Sequence, residues 1–129
     1  RIGALPAPVS IEDFAHTVRE RLGVSHVRLV RAAARPVRRV AVVGGAGAEF
    51  IDAAVRRGAD VYITGDVKYH EAQRAAEQGM HLIDAGHFGT ERPVLPVLAG
   101  LLRTELAAEH GTAAIFVTET QRDVFDVII

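Results

Sequence analysis

Val37-Arg38-Arg39-Val40-Ala41-Val42-Val43-Gly44-Gly45-Ala46-Gly47 ends in consecutive apolar residues and runs straight into glycine. The pattern predicts a strand buried on both faces that closes in a tight turn. Downstream the same unit recurs. A helix is expected from about Ala48 to Arg57, a strand over Asp60 to Thr64, a helix from about Lys68 to Glu77 and a strand over His81 to Asp84, with Gly58 and Gly79 placed where helix C-caps belong. Strands and helices that alternate with such short connections predict an α/β domain, a layered, mainly parallel or mixed sheet with helices on its faces. A longer apolar helix should follow to about Glu109, with Pro93 tolerable in its first turn and Pro96 distorting the second. Beyond it a strand is expected over Ala113 to Thr118, then a final apolar run, Val124 to Ile129.

Upstream, Ser10 and Asp13 resemble a capping box, and Ile11, Phe14, Val18 and Leu22 keep helical spacing until Gly23 stops the run. His26 to Val30 alternates weakly as a strand before Pro36. The chain begins at Arg1 with a proline-punctuated lead, Leu5-Pro6-Ala7-Pro8. Residues 1–9 are therefore expected to be a linker from a missing N-terminal half, with 10–129 as the domain proper.

Composition narrows the chemistry. With 129 residues, 49% hydrophobic, one core is expected. A net charge of -1 supplies no global positive field for a polyphosphate, so nucleic acid is not the default partner. Arg28, Arg31, Arg35, Arg38 and Arg39 carry no interleaved aromatics and read as a solvated face. Cysteine is absent, so any metal must be held by imidazole and carboxylate. No apolar run approaches the length of a membrane span, which points to a cytoplasmic protein.

Ligands of open α/β sheets gather at the carboxyl ends of the strands. Three segments fall there. The glycine loop at 44–47 has the setting of an anion cradle but neither the third glycine of a dinucleotide fingerprint nor the Lys-Ser or Lys-Thr of a Walker loop, so a tight turn is the favoured reading. In Thr64-Gly65-Asp66-Val67-Lys68-Tyr69-His70, Asp66 and His70 are four residues apart and could share a helix face to orient a water, although Asp66 as a helix cap is favoured on the residues alone. His87 and Glu91 have the same spacing. An imidazole and a carboxylate one helical turn apart suit Zn, Mn or Fe(II), and Asp84 just before them is placed to orient the imidazole, while a simple charge pair at a helix start is about equally consistent. His16, His26, His81 and His110 read as surface or packing residues.

Taken together, Val40-Ala41-Val42-Val43-Gly44-Gly45-Ala46-Gly47, Gly58 to His70 and Leu82-Ile83-Asp84-Ala85-Gly86-His87-Phe88-Gly89-Thr90-Glu91 resemble the dinuclear metal-centre proteins of the NIF-three-like family, also called GTP cyclohydrolase I type 2 homologues. The resemblance covers nearly the whole chain. It implies two similar α/β halves, assembled as homohexamers, with two divalent ions per full-length subunit in the cleft between halves. It further implies that His87 and Glu91 are the metal ligands of this half, and that Thr64 and Gly65, as cofactor-contacting residues, and Asp66 and His70, as catalytic ones, line the same cavity. The family's remaining ligands, paired histidines and an aspartate, belong to its N-terminal half. No His-His pair occurs here, so the chain is similar to an isolated C-terminal half that can be metal-free on its own. One departure is the tail, Thr120 to Phe125, which lacks the proline usual near the family's last strand.

The expectation that follows is half of a metal-dependent hydrolytic centre acting on a nucleotide or phosphoester, partnered by the missing half. The alternatives are a regulatory or scaffold protein with structural metals, and a nucleotide sensor using the glycine loop.

Overall fold

The computed structural model describes residues 1–128. Its centre is the pair of strands with the most continuous apolar runs, β4 (Val61–Gly65) and β5 (His81–Asp84), buried along their whole length. Residues buried on both faces need helices on both sides, and parallel strands need crossovers that supply them. β3 (Val37–Ala46) runs parallel to β4, with Val40 opposite Val61 and Ala46 opposite Gly65. β4 runs parallel to β5, with Thr64 opposite Asp84. Two antiparallel edge strands, β1 (Ile2–Val9) on β3 and β2 (Arg28–Val30) on β5, complete a mixed sheet of order β1-β3-β4-β5-β2.

One layer is α1 (Ile11–Leu22). The Ser10 hydroxyl oxygen accepts the Asp13 N–H at 3.0 Å and donates to the Asp13 carboxylate at 2.7 Å, and Gly23 ends the helix in the left-handed region at φ 65°. Ile11, Phe14, Ala15 and Val18 pack on Val37, Val61, Ile63 and Ile83. The opposite layer is α2 (Ile51–Arg56), entered through a 3-10 turn at Ala48–Phe50, and α3 (Tyr69–Glu77), whose Ile51, Ala54 and Ala75 pack on Ala41, Tyr62 and Leu82. α4 (His87–Glu91) and α5 (Val94–Ala108) follow β5.

Several expectations need correction. Residues 1–9 are not a free linker but strand β1. An edge strand tolerates proline because one side of its ladder is unused, and the register shifts between Ala4 and Val9, the stretch that contains Pro6 and Pro8. β3 is not buried on both faces: it alternates, and Val42 is 39% exposed. It also continues through the glycines, which were expected to turn. The longer apolar helix expected to about Glu109 is α5, but it starts one residue after Pro93, which is its N-cap, so Pro96 does not distort a second turn. Pro96 falls in the first turn of α5, where no backbone N–H is needed. Ala113 to Thr118 forms no strand, and neither do the described residues of Val124 to Ile129, the last residue lying outside them. No backbone–backbone hydrogen bond joins residues 112–128 to the sheet among the described residues, and an extended segment without a ladder is not stable alone. Arg28, Arg31 and Arg35 are not merely solvated, since they pair with Asp84, Glu12 and Asp60. His81, by contrast, is the packing residue that was one of its two expected readings: it is fully buried and accepts the Ala32 N–H at Nδ1.

Candidate metal centre

The parallel register determines what meets what. With Thr64 opposite Asp84, the chain leaving β4 and the chain leaving β5 emerge side by side, and Asp66 comes beside His87. Asp66 Oδ2 lies 2.7 Å from His87 Nδ1. A carboxylate only accepts, so Nδ1 carries the proton. Nε2 lies on the other side of the ring, 3.2 Å from Glu91 Oε1 one helical turn on. All three side chains are about half exposed.

A neutral Nδ1–H ring would point a lone pair at an anionic oxygen. Two acceptors facing each other at 3.2 Å call for a cation between them. A proton on Nε2 satisfies that geometry, and the hydrogen bond to Asp66, then the charge of Glu91, hold the His87 imidazole above its ordinary range. The separation also suits a metal. Donors about 2.1 Å from one ion sit roughly 3.0 to 3.4 Å apart at octahedral to tetrahedral angles. Asp66 does not add a third donor to that point, because it approaches the opposite ring nitrogen. Consistently, no cluster of three or more metal-ligating side chains forms among the described residues.

The glycine loop is the floor of this pair. Gly45 has φ 67°, and a Cβ there would fall 2.5 Å from Glu91 Oε1 and 3.2 Å from His87 Nε2. Its N–H donates to Thr90 Oγ1 at 2.9 Å, and that hydroxyl donates to Gly86 O at 2.8 Å. The loop thus grips the start of α4. Reading it as a turn that lets a helix pack closely captured the close approach, but not the helix involved or its contact with the ligands.

Thr64 and Gly65 do not line the cavity. Thr64 is fully buried, and its hydroxyl donates to Gly45 O at 2.9 Å. Gly65 ends β4 where a Cβ would meet the Gly86 carbonyl carbon at 2.6 Å, so the position requires glycine. Both shape the loops rather than the open space. His70 sits in the first turn of α3 with its ring edge-on to Tyr69 and is not brought to His87. The shared helix face predicted for Asp66 and His70 does not form, since α3 starts at Tyr69, after Asp66. Nor does Asp66 cap that helix: the Lys68 N–H donates to Glu71 Oε2 at 2.7 Å. Asp84 was expected to orient the imidazole, and that part is taken by Asp66.

Asp66, His87 and Glu91 open into a cavity of about 810 Å³ whose walls also include Arg28, His26 and the tail from Gln121 to Ile128. Arg28 and His26 were missed because nothing in their local sequence marks them. Their placement follows only from β2 pairing with β5. A smaller cavity of about 340 Å³ between β1, β3 and α2, with Val43, Phe50 and Tyr62 in its wall, is lined by no imidazole or carboxylate.

The fold has close counterparts among known proteins. The chain is 36% identical over 125 residues to a Bacillus subtilis (strain 168) protein named GTP cyclohydrolase 1 type 2 homolog, covering 97% of this chain and 33% of that protein. A Nostoc protein of the same name is 37% identical over 106 residues, covering 81% and 40%. Among solved structures, a Bacillus cereus protein related to NIF3 superimposes with a TM-score of 0.92 at 33% identity, covering 98% of this chain and 35% of the other. A Staphylococcus aureus protein does so with 0.90 at 31% identity, covering 98% and 36%. The chain spans about a third of the length of the B. subtilis relative. The sequence model of the Duf34/NIF3 (NGG1p interacting factor 3) family matches residues 1–123, nearly all of the sheet, helices and loops described above, and the chain belongs to that family.

Proposed function

We propose that this chain contributes His87 Nε2 and Glu91 Oε1 to a divalent metal centre completed by further ligands from a longer polypeptide. The carrying observation is the 3.2 Å approach of two acceptors, with a glycine floor that leaves them room. Glu91 brings negative charge. His87 presents an unprotonated Nε2 once Asp66 holds the Nδ1 proton, the carboxylate–histidine arrangement common to metal sites. Zn, Mn and Fe(II) fit this nitrogen and oxygen donor set. Such an ion, when bound, lowers the pKa of a coordinated water and polarises an electrophile. Asp66 keeps the ring oriented, and the proposed substrate is a nucleotide or phosphoester that meets the ion. The proposed activity is hydrolysis, in keeping with the name of the curated relatives.

A second reading has its own observation. Val94, Val97, Leu98, Leu101 and Leu102 leave an apolar face on α5 exposed, which favours a role through protein contacts, with the metal structural. The remainder of the polypeptide, and other copies in a hexamer, are the proposed occupants. No helix among the described residues is long and apolar enough to cross a membrane. A cytoplasmic location belongs to the same reading.

Two protein donors leave most of a coordination sphere to water, so the isolated chain should bind Mn or Zn weakly. Titration calorimetry on this chain and on the longer polypeptide is the test. Affinity should rise steeply with the added ligands, and His87→Ala and Glu91→Ala should abolish the gain. Variants of the longer protein that hold metal as tightly as the parent would defeat the reading. Release of product from a nucleotide or phosphoester, dependent on metal, separates the enzyme from the scaffold.

A further inference from the structure

The turn that carries Asp66 is held in a conformation it would not choose alone. Asp66 has φ 56°, and a left-handed non-glycine residue costs roughly 1 kcal/mol, so its neighbours must pin it. On one side Gly65 is fixed by its pairing with Ala46. On the other, the Val67 N–H donates to Asp84 Oδ2 at 3.1 Å, and the Val67 carbonyl accepts from Arg28 Nη2 at 2.7 Å. The second oxygen of Asp84, Oδ1, accepts the N–H of Gly86 at 3.0 Å, the residue just before His87. A single carboxylate, 5% exposed, therefore holds the turn of Asp66 with one oxygen and the turn of His87 with the other. Arg28 pairs with the same carboxylate, neutralises it and closes the grip on Val67.

We propose that Asp84, backed by Arg28, is a positioning residue of this centre: by holding Val67 and Gly86 it sets the Asp66–His87 hydrogen bond, and through it the direction of Nε2 toward Glu91. The metal consequence rests on the function proposed above, whereas the imidazole geometry belongs to the chain itself. Asparagine at 84 offers one acceptor oxygen where two are used, and presents an N–H₂ to one of the two backbone donors. A packing role would show as lost stability only. A positioning role changes the state of the ring while the fold persists.

The deciding measurement is nitrogen NMR of the histidine rings in the full metal-free chain, at a pH above the titration of His87. The parent should show His87 locked as the Nδ1–H tautomer with a downfield, exchange-protected ring proton, and Asp66→Ala, which removes the acceptor, should abolish that signature. Asp84→Asn should melt cooperatively, lose the protected proton and move toward the tautomer mixture of a free imidazole. A Mn²⁺ titration alongside should weaken by about 10- to 100-fold, the usual effect of losing an outer partner of a ligand. Asp84→Asn with the tautomer and ring proton of the parent overturns the proposal. If that variant does not fold, Asp84→Glu decides in its place, since the longer side chain keeps the charge that pairs with Arg28 but cannot hold the Val67 and Gly86 N–H groups at their present positions. A partial tautomer shift supports the grip, and a ring unchanged from the parent overturns it. The positioning role stands or falls on the imidazole signal alone, so a parent that shows the tautomer but takes up no Mn²⁺ defeats the metal reading and leaves the positioning role supported.

Discussion

Gly45 lies against the carboxylate of Glu91 so closely that a Cβ at position 45 would sit 2.5 Å from Oε1. The same glycine has φ 67°, so alanine there suffers both backbone strain and a displaced ligand. Gly58 separates the two effects, because it has φ 68° and nothing within 4 Å of its would-be Cβ. Gly58→Ala should cost about 1 kcal/mol in urea unfolding and leave metal affinity unchanged. Gly45→Ala should cost a comparable amount and also weaken metal binding at least tenfold. Equal metal affinity in the two variants would show that the glycine floor has nothing to do with the site.

Thr64 tests whether the loop is built from below. Its buried hydroxyl donates to the Gly45 carbonyl, so Thr64→Val keeps the shape and removes the donor. Leaving a buried carbonyl without that partner should cost about 1 to 3 kcal/mol. Thr64→Ser retains the donor and should recover most of the metal affinity lost in Thr64→Val. Stability measured by urea denaturation, with a metal titration on each variant, checks both; a serine variant no better than valine would mean that the methyl group matters and the hydrogen bond does not.

Much of the frame is legible in the sequence because its signals are local. Ser10 and Gly23 bound α1 as capping chemistry requires, and the apolar runs at 61–64 and 81–84 are strands buried on both faces. What escapes local reading depends on which strands pair. Ala113 to Thr118 has the composition of a strand but pairs with neither edge of the sheet, and the Arg103 guanidinium bonded to Ile115 O ties it to α5. Pro6 and Pro8 mark residues 1–9 as a connection, yet an edge position accommodates them. The spacing of His87 and Glu91 is visible in one dimension. The exchange of parts between Asp66 and Asp84 is not, since it follows from Thr64 facing Asp84 across two parallel strands.

The His87 ring gives a signed dependence on pH. Its proton is held by the hydrogen bond to Asp66 and the charge of Glu91, so its pKa in the folded state lies above that in the unfolded chain, about 6.5. A raised pKa means that the folded state binds the proton more tightly. The resulting stability is fully present below the unfolded value and is lost as pH rises through the folded one. Metal-free parent and His87→Gln should therefore differ in Tm at the acidic end of this window and converge above it. Metal affinity should run the opposite way and rise across the window, because the ion replaces the Nε2 proton. A parent whose advantage over His87→Gln grows with pH would contradict the assignment of that proton.

The face of α5 makes the last prediction, about association. Val94, Val97, Leu98, Leu101 and Leu102 recur three and four residues apart, so they form one stripe along the helix rather than scattered exposures. Val97 and Leu101 are 62% and 60% exposed, unusual for large apolar side chains in such an aligned set. Sedimentation velocity on the isolated chain should show reversible self-association that strengthens with concentration. Val97→Lys with Leu101→Lys should shift the population to monomer. Because these side chains lie outside the core, Tm extrapolated to low concentration should fall little or not at all, whereas a core substitution such as Ile51→Ala should cost about 2 to 5 kcal/mol. The Asp66–His87–Glu91 arrangement lies on α4 and the β4 turn, so the double variant should keep its metal affinity. A parent that stays strictly monomeric at high concentration would mean that the stripe is not an interface between copies, and a double variant that unfolds would mean that α5 is packed more firmly than its exposure shows.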